Sequence, residues 1–495
     1  MLLTRLASQT AIYGLSSIVA RLLNYLLTPY FTRLMTRAEY GVVTDFYALI
    51  PFVLILLTMG METGYFKFTG DAVDSAAKRR VFATTWGSVI GVSLLFFAAA
   101  VLFRVPLAES MGYADHTSYI TVVAAIVALD AITAIPFARL REQNRALRYV
   151  VVRVFSVVIN LVLCIFFYSF LPSLAENGGQ LWQLMYIENY GAGYVFIANL
   201  VASLFTFVVL LPACDRVVPV ADRRLLNRIL LYSLPLLISG IAGTANEFID
   251  RQMIKYLMPD DVAMEALGIY GAVVKIGVLM LMFTQMYRLA AEPFFLSGFN
   301  KEDFVRTNAE AMKYFIIVSI FIYLFITLFT DEFALIIGSD FRVGMHILPT
   351  VLVANILSGM VLNLSFWYKK VGATRWAIVV TGSGLVFTIL MNILLVPRMG
   401  YWGAAIARLC SEAAMVAVSL YLNHKYCPTP YEWRSIVGYV AVGAAISMVG
   451  MSVDGAAVLL RWSVAVVLLC AFALYVVRRE KIDVIKLLKS LVRRG

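Results

Sequence analysis

Apolar segments and short polar gaps alternate along the whole chain. Fourteen segments stand out, at about 9–33, 40–66, 81–103, 117–138, 149–171, 190–213, 227–250, 266–287, 314–330, 345–368, 374–396, 402–423, 435–452 and 456–477. Each approaches the roughly 20 residues with which an α-helix crosses bilayer hydrocarbon. In lipid a backbone must satisfy its own hydrogen bonds, so these segments predict helices. The expected class is an all-α polytopic membrane protein with fourteen transmembrane helices. The first segment is too long for a signal peptide and lacks a small-residue cleavage site, so it is expected to remain as the first helix.

Charge adds an orientation to this picture. Counting a residue near the end of a segment with the gap it adjoins, thirty of the 41 Lys and Arg residues fall at every second gap or in the C-terminal tail, eight at the other gaps, and three lie deep inside segments. Positive charge stays on the cytoplasmic side. Both termini are therefore expected in the cytoplasm. The net charge of +11 reads as membrane orientation and not as nucleic-acid binding. The basic tail, 478–495, is placed to meet anionic lipid. Composition agrees: 61% of residues are hydrophobic and the mean hydropathy is +0.84, beyond what a soluble domain can cover with polar surface.

The gaps leave no room for a soluble domain, so function has to sit within the helices. A weak repeat is visible. INLVL at 159–163 followed by GAGYVFIANL at 191–200 echoes MNILL at 391–395 followed by GYWGAAIARL at 400–409. EYGVVTDFYALI at 39–50 echoes IYGAVVKIGVLM at 269–280. Both echoes are offset by six segments, an even number, so the copies share one orientation. The expected organisation is two parallel six-helix lobes, 1–214 and 222–425, two extra helices within 434–477, and the tail. Lobes related in this way suit a transporter that rocks about a central cavity.

Charges inside apolar segments need a partner or a cavity. Arg21 stands about twelve residues into the first segment, roughly 18 Å from its inner end, too deep to reach the surface easily. A fixed cation at that depth suits a substrate carrying phosphate, or an internal ion pair with Asp45, Glu62 or Asp130. Lys275 is its nearest counterpart in the second lobe, and Arg408 completes the candidate cation set. Arg408 and Glu412 are also spaced to pair with each other. Asp45, Glu62, Asp130, Glu247 and Glu412 are candidates for ion coupling or gating, because a carboxylate in low dielectric can load and unload a proton. Glu247, Asp250, Arg251 and Lys255 share one helical face near the outer end of the seventh segment, expected as a solvated rim or gate. Arg33, Arg288 and Glu292 are expected at gates or rims as well.

Enzymatic signatures do not occur. His116, His346 and His424 stand apart, and there is no HExxH, GxSxG or Walker A sequence. The longest expected external loop, 172–189, offers Glu176 and Glu188 but no Lys, Arg or His, which argues against a glycosyl-polymerase or ligase. The five cysteines are scattered without CxxC spacing, so neither a disulfide nor a metal site is expected. No cofactor is expected beyond H+ or Na+ as a coupling ion.

Several stretches resemble the polysaccharide flippase branch of the multidrug/oligosaccharidyl-lipid/polysaccharide (MOP) exporter superfamily. VARLLNYLLTPYFTRLMTRAEYG at 19–41, GMETGYFKF at 60–68, LREQNRALRY at 140–149, FIDRQMI at 248–254, IYGAVVKIG at 269–277 and AAEPFF at 290–295 carry the likeness, in order, over most of 10–425. The resemblance implies a V-shaped pair of six-helix lobes with MATE-like alternating access. It also implies an undecaprenyl-diphosphate-linked oligosaccharide cargo and a cationic cavity for the diphosphate. The last two helices would offer a groove for the isoprenoid tail. A glycan polymerase or ligase is a candidate partner, and a monomer is expected. Two alternatives stand beside this one: a lipid II flippase, and a cation-coupled multidrug antiporter.

Overall fold

A computed structural model describes residues 22–23, 25–214, 217, 222–296, 301–373, 375–453 and 457–481. Among the described residues every regular element is a helix. The principal ones are α1 (25–34), α2 (Arg37–Thr58), α3 (Met61–Gly70), α4 (Ser75–Leu102), α5 (Thr117–Glu142), α6 (Ala146–Ile165), α7 (Gly193–Leu210) and α8 (Arg223–Leu257). They continue as α9 (Asp260–Ile276), α10 (Val278–Leu296), α11 (Lys301–Leu328), α12 (Leu348–Leu364), α13 (Arg375–Met399), α14 (Tyr401–Tyr426), α15 (Trp433–Met451) and α16 (Val458–Arg479).

Eleven helices among the described residues are long and apolar enough to span a membrane, or twelve if the bent pair α9–α10 is one span. These correspond to twelve of the fourteen expected segments. The seventh segment lies within the 35-residue α8. Most of the first lies outside the described residues, so the structure does not establish fourteen.

Several expected segments are interrupted, and two of the breaks lie near candidate residues. The segment at 40–66 divides because Met59 (φ 50°) and Gly60 (φ 68°) are both left-handed. Met59 closes α2 by donating its N–H to the Ile55 carbonyl, and α3 starts afresh at Met61. The segment at 266–287 divides at Gly277, where α9 and α10 bend by 50°. Other ends follow local chemistry. Thr36 and Glu39 form a reciprocal capping box at the start of α2, satisfying two amides that the first turn leaves open.

The chain packs as two compact units, Met1–Ala272 with Gly384–Ala407, and Val273–Ser383 with Arg408–Gly495. In the first, α5 forms the centre: α4, α7 and α2 all lie against it. In the second, α11 holds that place. Met312, Phe315, Ile316 and Leu324 on α11 pack with Ile436 and Tyr439 on α15 and Phe472 on α16. Since lipid is as apolar as these side chains, close packing and internal hydrogen bonds hold such bundles together.

Candidate functional site

The first site is built around Asp45 on α2, in the first unit. A carboxylate there is costly unless every lone pair is answered, and three side chains answer it. Lys255 near the end of α8 donates to Oδ2 at 2.5 Å, Gln252 one turn earlier donates to Oδ1 at 2.5 Å, and Tyr113 in the α4–α5 connection donates to Oδ2 at 2.6 Å. The ammonium of Lys255 also lies 4.3 Å from the Tyr113 ring centroid, a cation–π contact. The side chains of Asp45 and Lys255 are only 1% and 7% exposed.

Glycines bring the surrounding helices together. A Cβ on Gly41 would stand 2.1 Å from the Met264 carbonyl oxygen, and one on Gly268 would stand 2.0 Å from that of Arg37. A Cβ on Gly271 would meet Thr44 Oγ1 at 2.3 Å. Residues 37, 41 and 44 on α2 therefore run beside 264, 268 and 271 on α9 in the same direction. This is the small-residue crossing by which membrane helices approach backbone to backbone. Both Tyr-Gly pairs noted in the sequence lie here: Tyr40 and Tyr270 are buried, and Gly41 and Gly271 each face the opposite helix.

The α8–α13 contact carries a further polar set. Asn392 donates to Asp250 at 3.1 Å, and Thr388 donates to Asn246. Asp250 and Lys255 are buried, which corrects the solvated rim expected for that helical face. The correction has a plain cause: α13 covers the Asp250 side, and α2 covers the Lys255 side. Arg251 is half-buried. The side chain of Glu247 lies outside the described residues, as does the whole of Arg21.

The other expected carboxylates take different places. Glu62 is not held in the apolar core. The break at Met59–Gly60 puts it in the first turn of α3, half exposed and paired with Arg141. Asp130 on α5 accepts from Ser203 on α7 at 2.7 Å. Arg33 is exposed and donates to the Pro29 carbonyl of its own helix at 2.6 Å.

A second site lies in the other unit, at the break between α9 and α10. Asn355 on α12 is buried, donates Nδ2 to the Gly277 carbonyl at 3.3 Å, and accepts from Arg408 Nη2 at 3.2 Å. A Cβ at Gly277 would lie 3.3 Å from both Asn355 Nδ2 and Val351 Cγ1, so this approach favours glycine. Lys275 stands two residues before the break and is half-buried. Glu412, one turn beyond Arg408, is buried. Two cations named from the sequence thus flank one broken span, and sequence reasoning missed the amide that ties Arg408 to it. An Asn within an apolar segment was the available signal. Glu292 pairs with Lys369 at 2.8 Å, and Arg288 is exposed.

The comparisons with known proteins agree with this architecture. No curated relative matches the sequence. Among solved structures, the fold is similar to the lipid II flippase MurJ in an inward closed conformation, with TM-score 0.71 and 12% identity over 95% of this chain and 100% of that one. It is similar to an inward-facing multidrug resistance MATE family transporter of the MOP superfamily, with TM-score 0.65 and 16% identity over 82% and 94%. The MATE multidrug transporter DinF-BH gives TM-score 0.60 and 16% identity over 86% and 95%. At such identities the likeness speaks for the fold. The family model described as "polysaccharide biosynthesis protein" matches residues 6–298, more than half of the chain. With a fold that is all-helical among the described residues and similar to those of MurJ and MATE transporters, the chain belongs to the polysaccharide biosynthesis protein family.

Proposed function

We propose that the protein moves polyprenyl-diphosphate-linked oligosaccharide units from the cytoplasmic to the external leaflet of a bacterial inner membrane by alternating access of two six-helix lobes. The observation that carries this reading is the Arg408–Asn355–Gly277 arrangement, with Lys275 two residues before Gly277 in the chain. A sugar diphosphate cannot enter hydrocarbon unaided. Guanidinium and ammonium groups beside a broken span offer it charge-assisted hydrogen bonds, in the kind of place where transporters bind cargo. Arg21 remains, from the sequence alone, a further candidate for binding the same cargo.

The Asp45–Lys255 cluster and the Gly41–Gly268 crossing supply the gate. Both close the arginine-poor end of α2, α8 and α9, taken here as the external end with both termini in the cytoplasm. A headgroup leaving on that side requires these contacts to part. Moving negative charge out of a negative cytoplasm is downhill by about 2.3 kcal/mol per charge per 100 mV. Proton or sodium return through buried carboxylates such as Asp45, Asp130 or Glu412 would add to it.

The test is flipping by protein reconstituted in liposomes, using a labelled lipid-linked oligosaccharide and following its exposure to an external glycosidase. Flipping that depends on Arg408 and Lys275 supports the proposal. Transport of lipid II alone would make it a peptidoglycan-precursor flippase. Efflux of organic cations without lipid movement would make it a multidrug antiporter.

A further inference from the structure

The connection between α6 and α7 has an unusual surface. After a π-helical turn at Phe166–Phe170 the chain forms the short helix Leu171–Asn177, turns at Gly178 and Gly179, and forms a second short helix, Gln180–Met185. The return is fixed by two tyrosines. Tyr194 OH accepts from the Ile187 N–H at 2.6 Å and donates to the Ile187 carbonyl at 3.1 Å, and Tyr168 OH donates to the Gly191 carbonyl at 2.6 Å.

The second helix has three distinct directions. Trp182 points back to the bundle, with its ring centroid 6.1 Å from that of Phe166. At about 100° per residue, Leu184 points nearly opposite to Trp182. Leu181 and Met185 lie on one flank, and Gln180 and Gln183 on the other. Leu184 is 82% exposed, Leu181 65% and Met185 42%. Both ends of the connection run straight into apolar spans, Ala146–Asn177 and Gly193–Cys214, so the chain path holds this helix at the membrane surface. No Lys, Arg or His occurs between Arg153 and Arg216, which leaves the patch nothing with which to seek an anionic partner.

We propose that Gln180–Met185 lies in the lipid–water interface at the arginine-poor end, with Leu181, Leu184 and Met185 in the acyl region and the glutamines in water. One apolar flank, one polar flank and an inward tryptophan form the pattern of an interfacial amphipathic helix. The lipid contact is continuous with that of the two flanking spans, and it needs neither a second copy nor another protein to cover the leucines.

The experiment uses the full chain with Cys410 and Cys470, the two cysteines that are not buried, replaced by Ser, reconstituted in phosphatidylethanolamine/phosphatidylglycerol vesicles. A nitroxide is placed at Leu184→Cys, Leu181→Cys or Gln183→Cys in separate samples. Collision with oxygen is compared with collision with a water-soluble nickel chelate. Positions 184 and 181 should favour oxygen and position 183 the chelate. Preference for the chelate at 184 and 181 overturns the proposal. Shielding of those positions from both reagents, which would mark a protein or a second copy as the occupant, overturns it equally. If one leucine variant fails to insert, the other carries the comparison.

Discussion

Asp45 and Lys255 stand 210 residues apart in the chain and meet at 2.5 Å in a pocket sealed from solvent. A buried ion pair contributes little net stability, because desolvation offsets the attraction. Removing one partner is another matter, since it strands the other charge and costs about 3–5 kcal/mol. Asp45→Asn alone should therefore loosen this end of the bundle. A cysteine placed at Thr44 would then label with a membrane-impermeant maleimide. The paired change Asp45→Leu with Lys255→Met should close it more firmly and reduce flipping. Equal labelling of all three proteins would refute a latch.

The glycine crossing should respond to size alone. A Cβ on Gly268 would stand 2.0 Å from a backbone carbonyl, which cannot swing aside as a side chain can. Gly268→Leu should hold α2 and α9 apart, raise labelling at the same end and slow flipping by tenfold or so, an activation difference of about 1.4 kcal/mol. Gly91, with open space about its Cβ, is the control, and Gly91→Ala should leave both readouts unchanged.

Loss of a charge-assisted contact to phosphate is worth about 1.5–3 kcal/mol. Arg408→Ala should thus weaken cargo binding by roughly tenfold or more, and Arg408→Lys, which keeps a cation there, should restore part of the loss. Asn355→Ala should weaken it less, because the cation stays and only its placement is lost. Wild-type affinity in Arg408→Ala would remove this cation from the site.

Glu480 at the end of α16 predicts a pH effect. Burial pushes its carboxyl up, but hydrogen bonds from Tyr439 and Lys313, together with the charge of Lys313, hold it below the usual carboxylate value. A lowered pKa in the folded state means that the contribution is present above the unfolded value of about 4.3 and fades as pH falls through the folded one. Melting curves between pH 7 and pH 3 should show the docking of α15 and α16 on α11 weakening at the acid end. Glu480→Gln should flatten that part of the profile. An unchanged profile in the variant would show that the Lys313–Glu480 contact, 2.9 Å long, contributes nothing.

The sequence by itself determined that this chain is helical and crosses a membrane many times, because twenty-residue apolar runs and the lipid environment leave the backbone one local solution. It also pointed to Lys275, Arg408 and Asp45, since a charge within an apolar segment is visible wherever it occurs. Helix continuity was only partly legible: Gly60 and Gly277 were visible, but glycines are common in membrane helices and do not mark a break alone. Tertiary structure decided the partners. Asp45 pairs with Lys255 because glycine contacts bring α2 beside α9 and set the end of α8 next to them. Asp250 is buried because α13 covers it. Glu62 is half exposed and paired with Arg141 because Arg141, 79 residues away in the chain, lies next to the first turn of α3. These outcomes depend on which helices approach each other and at what depth, and that relation involves residues far apart along the chain.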